Sequence, residues 1–222
     1  MFADRQTAGR ALAIPVRDFL DGLENAADPI VLALPRGGVP VALEIALALN
    51  LPLDVLLVRK VGVPGYPELA AGAVIDGATP EFVPNRQVMK DLRLTRRDLE
   101  TIIASELAEI EKRKTIYSVG RPAPDIAGRT VIVVDDGIAT GSTMHAALRA
   151  LRRRNPARLL LAVPVAPPDT LAWLKDSVDE IVCLEAPSSF RAVGMHYRDF
   201  SQTADDEVIA ALNRAAKAHG GL

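Results

Sequence analysis

The chain has 222 residues, of which 49% are hydrophobic and 24% charged, and its formal net charge at pH 7 is −2. This near-neutral balance is typical of a globular protein and argues against one that binds nucleic acid or another polyanion over its whole surface. The length suffices for one domain whose buried core needs neither disulfides nor a structural metal. The one cysteine, Cys183, lies in an apolar run and is expected to be a buried strand residue.

The sequence also bears on membrane association. Its first ten residues are polar and charged, so they lack the apolar core of a signal peptide. No apolar stretch reaches the ~18 residues needed to cross a bilayer. We therefore expect a cytoplasmic protein with no membrane partner.

In chain order, short β-branched apolar runs alternate with longer segments of helical periodicity. The predicted strands are Pro29–Leu34, Asp54–Val58, Leu69–Ile75, Val131–Val134, Leu159–Val165 and Ile181–Leu184, and the predicted helices between them are Val41–Leu49, Met144–Arg154 and Thr170–Lys175. Val131–Val134 is apolar throughout, as expected for a central parallel strand buried on both faces. This alternation predicts an α/β fold with an open, mainly parallel sheet flanked by helices.

One predicted helix does not fit the alternation. Apolar residues recur at helical spacing over Thr95–Arg113, and Thr95 with Asp98 resembles a capping box. We therefore predict a long helix inserted between strands, in a helical insertion over about 85–115.

The segment before the last predicted helix is irregular. Glu185–Gln202 contains scattered aromatic residues without a clear period, and a closing helix is expected near Asp205–Ala218. We predict a small irregular hood formed from about 1–25 and 185–202. The whole of 1–222 is expected to be a single domain.

The richest segment for chemistry runs from Val131 to Thr143. A buried strand ends in two carboxylates, Asp135 and Asp136, and a small-residue loop then leads into a helix. In open α/β sheets ligands bind at the carboxyl ends of strands, and a helix N-terminus favours a phosphate. Gly137 and Gly141 allow the backbone to turn and approach closely. Ionised carboxylates accept hydrogen bonds from neighbouring sugar hydroxyls, so a ribose 5-phosphate would satisfy both halves of the segment.

This segment resembles the phosphoribosyl pyrophosphate motif of type I phosphoribosyltransferases, which is an apolar strand, two acids, small residues and Thr-Gly-x-Thr. The wider chain is similar to a subgroup of predicted bacterial phosphoribosyltransferases of unsettled substrate. The resemblance implies 5-phosphoribosyl-1-pyrophosphate bound with Mg²⁺, an unidentified base as acceptor, and a homodimer. We assign Asp135 and Asp136 to the ribose. No protein group is expected to bind the metal directly, and these two acids could contact it through water. The 5-phosphate is assigned to Ala139, Thr140, Gly141, Ser142 and Thr143.

A second loop, Leu34–Val39, also lies between a predicted strand and a helix. The amides of Gly37 and Gly38 and the Arg36 guanidinium could hold another anion. By resemblance this is the pyrophosphate loop of the family. That loop often contains a cis peptide bond, which is expected here before Gly37.

A third segment, Val58–Ala70, combines two cations with a Gly/Pro-rich stretch. It lies where type I enzymes carry a mobile loop that closes over the reacting centre. Arg59 and Lys60 could neutralise the departing pyrophosphate or could be solvated strand-end charges. Glu68 could contact a ligand or brace the loop.

In the family a variable hood recognises the acceptor base. Phe190 and Tyr197 could stack on a flat ring, and Arg191 or His196 could bond its edge. The alternative is that these aromatic residues form the hood's own small core. His145 and Trp173 are expected to be a surface residue and a packing residue, respectively.

Two observations restrict the function. Oxopurine-salvage members of the family carry an acid at the position of Ala139, so hypoxanthine and guanine are disfavoured as acceptors, whereas adenine-type and pyrimidine-type members lack that acid. Glycine-rich loops of the Walker A and dinucleotide-binding types do not occur in the sequence. The alternative to an enzyme is a regulatory protein that binds phosphoribosyl pyrophosphate or a nucleotide without catalysis.

Overall fold

The computed structural model describes residues 1–23, 27–76, 80–117 and 124–220. The strands are β1 (Ile30–Ala33), β2 (Leu53–Val55), β3 (Val58–Val63), β4 (Tyr66–Ile75), β5 (Glu81–Pro84), β6 (Thr130–Val134), β7 (Arg158–Val165) and β8 (Glu180–Glu185). The helices are α1 (Arg5–Asp21), α2 (Gly38–Leu49), α3 (Arg86–Asp91), α4 (Glu100–Tyr117), α5 (Ser142–Arg153), α6 (Pro168–Leu174) and α7 (Asp205–Ala218). No helix in these described ranges is long and apolar enough to cross a membrane.

The main sheet has five parallel strands in the order β2-β1-β6-β7-β8, which confirms the predicted open parallel sheet. Every residue of β6 is buried. Successive strand residues point to opposite faces. Accordingly, Ile132 and Val134 pack with α1, α2 and α7 on one face, while Val131 and Val133 pack with α5 and α6 on the other.

The register places the ends of β1 and β6 side by side. Ala33 pairs with Val134, and the Leu34 amide donates to the Val134 carbonyl at 2.9 Å. The loop after β1 and the two acids after β6 therefore emerge next to each other at one edge of the sheet.

A second, antiparallel sheet of β3, β4 and β5 was not predicted. The segment expected to be a mobile loop, Val58–Ala70, instead forms most of the β3–β4 hairpin, with Gly65 at φ +81° in its turn. Val61 and Val63 are buried, two residues apart, as expected for one face of a strand. The neighbouring glycines and prolines obscure this alternation in the sequence. The strand predicted as Asp54–Val58 is split, because Leu53–Val55 joins the parallel sheet and Val58 begins the hairpin.

The predicted inserted helix begins later and ends later than expected. A 3-10 turn at Arg97–Leu99 leads into α4, Glu100–Tyr117. Asp98 accepts from both the amide and the hydroxyl of Thr95, each at 2.7 Å, so the expected capping contact forms around the 3-10 turn.

The hood contains less of the N-terminus than predicted. Residues Arg5–Asp21 form α1, whose first turn is capped by Asp4 through a 2.6 Å bond from the Thr7 amide. Only the residues before α1 join the irregular segment, where the Phe2 amide donates to the His196 carbonyl at 2.8 Å. The closing helix α7 has the predicted bounds.

Candidate functional site

The two acids at the end of β6 lie at the centre of the site. Both carboxylates are largely withdrawn from solvent, and the Asp136 amide donates to Oδ1 of Asp135 at 2.8 Å. Burial raises the pKa of Asp135 well above its usual range, and the charge of Asp136 raises that pKa further. Burial also raises the pKa of Asp136, although a guanidinium beside it acts in the opposite direction.

That guanidinium belongs to Arg5, which the sequence did not connect to the acids. Its Nε donates to Oδ2 of Asp136 at 2.7 Å, and the two side chains are only 11% and 13% exposed. Its Nη1 donates to the Ser201 carbonyl at 2.7 Å, and its guanidinium carbon lies 3.9 Å from the Phe200 ring centroid. Arg5 therefore joins α1 and the hood to an acid assigned to the ribose.

The loop after β1 packs directly against the acids. A Cβ atom at Gly37 would stand 2.1 Å from Oδ2 of Asp136, and one at Gly38 would stand 2.7 Å from the Val134 carbonyl oxygen. The non-proline cis bond lies between Pro35 and Arg36, one residue earlier than expected. This cis bond lies within a tight loop, in which the Gly38 amide donates to the Leu34 carbonyl at 3.0 Å.

The loop after the acids is held from a neighbouring strand end and from α6. The Ile138 amide donates to the Val165 carbonyl at 2.9 Å, and the Thr170 hydroxyl donates to the Ala139 carbonyl at 2.8 Å. Gly141, at φ +74°, is the residue before α5, and no side chain caps that helix. The first amides of α5 are thus left for water or an anion.

Two cavities connect this loop with the hairpin. One of about 240 Å³ is lined by residues that include Pro35, Arg59, Arg113, Asp135 and Thr143. A wider cleft of about 710 Å³ shares Arg59 and Thr143. Arg113, from α4, is a second cation that sequence reasoning missed. We call these two cavities together the donor cleft, after the phosphoribosyl donor that the sequence predicts.

Carboxylates lie beside two cations of the donor cleft. Arg59 Nε lies 2.7 Å from Oε2 of Glu106 on α4. Lys60 Nζ lies 3.4 Å from Oε2 of Glu68, across the hairpin. The structure therefore brings Arg59, Lys60 and Glu68 to the cleft as parts of one hairpin.

In the loop after β1, Arg36 is only loosely paired, since its Nη1 lies 3.7 Å from Oδ1 of Asp205. The buried Tyr117 hydroxyl also donates to Asp205. Burial, followed by that bond, raises the pKa of Tyr117 to about 12.

The hood residues divide between packing and exposure. Tyr197 is 5% exposed, and its hydroxyl donates to the Asp136 carbonyl at 2.5 Å, so its ring cannot stack on a base as suggested. Phe190 stacks on His196, with centroids 5.4 Å apart, and His196 Nδ1 lies 3.5 Å from Oε2 of Glu185. Arg191 is exposed.

The family model of the phosphoribosyl transferase domain matches residues 7–199, which include both glycine-containing loops, the acid pair and most of the hood. The chain belongs to this family. A Mycobacterium tuberculosis protein whose name assigns it provisionally to the phosphoribosyl transferases is 45% identical over 215 residues. The match covers 97% of this chain and 47% of that protein, so the chain spans about half the length of this curated relative.

Two solved structures share the fold of this chain. TT1426 from Thermus thermophilus is 42% identical, with a TM-score of 0.85 and coverage of 96% of this chain and 98% of that one. A Neisseria gonorrhoeae protein solved with bound ppGpp shares the fold at 15% identity, with a TM-score of 0.50 and 98% coverage of each chain.

Oxygen atoms of the phosphoribosyl transferase domain that could hold a divalent cation lie at this edge of the sheet. Mg²⁺ is usually held by one or two carboxylates together with substrate phosphates. Asp135 and the neighbouring Asp136 supply two carboxylates, and Thr143 adds a hydroxyl to the cavity that Asp135 lines. Within the part of the chain that the structure describes, no three or more His, Cys, Asp or Glu residues form a metal-binding group. This set fits Mg²⁺ that arrives with a polyphosphate.

Proposed function

We propose that this domain binds 5-phosphoribosyl-1-pyrophosphate with Mg²⁺ and transfers the phosphoribosyl group to a nitrogenous base, releasing pyrophosphate. One observation carries the proposal. The Pro35–Gly38 loop, the acid pair and the loop into α5 meet at one sheet edge, with a cation-lined cleft beside them. Each part suits one part of this donor.

The assignment of the donor follows from the chemistry of each part. The free amides from Ala139 to Thr143 suit the 5-phosphate, and Asp135 with Asp136 suit the ribose hydroxyls. Arg36 and the amides of Gly37 and Gly38 suit the pyrophosphate. Fixing the donor at these points would place its anomeric carbon for attack by a ring nitrogen.

Displacement of pyrophosphate leaves negative charge on the departing group. Arg36, Arg59 and Lys60 are the cations placed to stabilise it, and bound Mg²⁺ would add Lewis-acid stabilisation of the same charge. The β3–β4 hairpin, which carries Arg59, Lys60 and Glu68, walls the cleft and would limit the access of water. We place the acceptor base beneath the hood, near Phe190, Arg191 and His196, while Tyr197 holds the backbone of Asp136.

Calorimetric titration of phosphoribosyl pyrophosphate with Mg²⁺ tests the donor site. We expect micromolar binding, about −8 kcal/mol, in the wild type. Because Asp135→Asn/Asp136→Asn removes both acceptor charges facing the ribose, we expect it to weaken binding by at least about 100-fold, or ~3 kcal/mol. Asp18→Asn/Asp21→Asn, which removes two exposed charges of α1, is the matched control and should bind as the wild type does. Absence of wild-type binding with and without Mg²⁺ would refute the donor assignment.

A regulatory protein that binds a nucleotide without catalysis is the second candidate. The Neisseria fold relative with bound ppGpp supports it, because that protein holds a guanine nucleotide on the same fold. Binding of phosphoribosyl pyrophosphate together with its consumption and pyrophosphate release in the presence of a base would favour the enzyme. Binding without release from any base tested would favour the regulator. The homodimer and the cytoplasmic location stay predictions.

A further inference from the structure

A separate cavity of about 230 Å³ lies between α5 and the antiparallel sheet, and we call it the α5 cavity. His145 and Arg149 line it from α5, together with Trp173 from α6 and Glu68 from β4. Ser142 also faces this cavity, whereas the next residue, Thr143, lines the donor cleft. The two spaces are therefore neighbours across the start of α5.

The α5 cavity contains a cation, Arg149. Arg149 is half-buried, and within the described ranges its guanidinium has neither an ion pair nor a hydrogen bond. Partial burial of an unpaired charge is unfavourable, and a planar guanidinium recognises carboxylate or phosphate groups well. Glu68 is the acid that faces the same cavity, and Lys60 pairs with it at 3.4 Å. The unmatched charge of the cavity is thus positive.

An aromatic wall stands beside that cation. The rings of His145 and Trp173 are 4.4 Å apart at 31°, and Trp173 is 45% exposed although it was expected to be a packing residue. Burial and the charge of Arg149 lower the pKa of His145, which favours its neutral ring. An exposed indole next to a neutral imidazole offers a flat apolar surface on which another ring can stack.

We propose that the α5 cavity is a binding site for a small planar aromatic anion, whose ring stacks on Trp173 while its acidic group pairs with Arg149. A volume of about 230 Å³ corresponds to about seven or eight waters, which is room for a molecule of one or two rings. Carboxylate and phosphate groups share the required charge and hydrogen-bond acceptors.

The position of Trp173 links this site to the donor cleft. A Cβ atom at Gly141 would stand 3.3 Å from the Trp173 ring, so the indole lies against the loop that we assign to the 5-phosphate. Glu68 lines both the α5 cavity and the donor cleft. A ligand on Trp173 is therefore expected to change the affinity of the donor cleft. This coupling rests on the proposed function, whereas binding in the α5 cavity does not.

The chain contains one tryptophan, so its indole N–H gives one signal in a ¹H–¹⁵N NMR spectrum. Indole-3-carboxylate is the probe, and indole-3-carboxamide is its uncharged counterpart of similar shape. We expect the carboxylate to shift the Trp173 signal with an affinity at least about tenfold higher than that of the carboxamide. Arg149→Met should remove this difference and Arg149→Lys should restore part of it, while Arg153→Met, an exposed arginine of the same helix, should retain it.

The binding proposal would be overturned by no shift with either probe, by equal affinity for both probes in the wild type, or by an unchanged preference in Arg149→Met. A Trp173 signal that depends on protein concentration and not on the carboxylate would also overturn it, and would identify the cavity as a contact between copies of the chain. A phosphoribosyl pyrophosphate titration with and without the carboxylate tests the coupling, because linkage requires reciprocal effects. Failure of phosphoribosyl pyrophosphate to bind would count against the proposed function and leave the carboxylate result standing.

Discussion

Replacing Gly37 with alanine is expected to destabilise the folded protein by about 3 kcal/mol and to abolish phosphoribosyl pyrophosphate binding. The new Cβ atom would stand 2.1 Å from Oδ2 of Asp136. The same oxygen accepts the 2.7 Å bond from Arg5, so Asp136 cannot rotate away without breaking a largely buried ion pair. Either the ion pair breaks or the proposed pyrophosphate loop moves. Urea unfolding measures the loss of stability, and calorimetric titration measures the loss of phosphoribosyl pyrophosphate binding.

Gly22→Ala provides the matched control for this substitution. Gly22 has φ −75°, and the nearest atom that its new Cβ would meet is the Asp18 carbonyl oxygen at 3.4 Å. We expect its unfolding free energy to stay within about 0.5 kcal/mol of the wild-type value. Wild-type stability and affinity in Gly37→Ala would show that close packing of the loop on Asp136 does not constrain the site.

The sequence predicted correctly those parts of the molecule that contiguous residues encode. An uninterrupted apolar run is sufficient to indicate the buried strand β6, and the small-residue loop after it indicates a close backbone turn. The same local signals predicted β1, α2 and α5 and an open, mainly parallel sheet. Parallel pairing then brings the loop after β1 to the acids after β6, because both follow the carboxyl ends of adjacent strands.

The β3–β4 hairpin was missed because two local signals conflict within it. Its glycines and prolines are typical of a loop, whereas Val61 and Val63 follow the alternation of a strand. Packing of Val61 and Val63 against α4 and pairing of β4 with β5 favour the strand, and neither is encoded in the hairpin segment itself. The same conflict explains why Val58–Ala70 was expected to be a loop and why the strand predicted at Asp54–Val58 was not divided.

The contacts that complete the site are long-range, and no motif indicates them. Arg5 and Asp136 are 131 residues apart in the chain, and Tyr197 lies 61 residues from the same acid. An arginine near the N-terminus and a tyrosine in an irregular segment are compatible with many roles. Only the folded chain shows that α1 and the hood both attach to Asp136.

Replacing Arg5 with methionine is expected to lower the unfolding free energy by about 3 kcal/mol at pH 8, because it leaves a largely buried carboxylate without its partner. Arg5→Lys keeps the charge but loses the fork that also reaches the Ser201 carbonyl, so we expect an intermediate loss. Arg10→Met is the matched control on α1, since Arg10 is 56% exposed and pairs with Glu44 at 3.3 Å. An exposed pair of this kind is worth ~0–1 kcal/mol.

The pH dependence of the Arg5→Met effect separates the lost charge pair from lost packing. In the folded wild type the pKa of Asp136 is raised from its ordinary value of 3.8, with Arg5 opposing the rise, so removal of Arg5 raises that pKa further. An acid whose pKa is raised on folding binds its proton more tightly in the folded state, and it therefore destabilises the fold as pH rises above 3.8 through the raised pKa. The destabilisation by ionised Asp136 is greater in the variant, so the stability deficit of the variant should be largest at pH 8 and smaller at pH 5, where protonation of Asp136 is favoured.

Urea unfolding of the wild type and the variant at pH 5 and pH 8 measures this deficit. An equal deficit at pH 5 and pH 8 would mean that Arg5 contributes through its packing on Phe200 and not through the charge of Asp136.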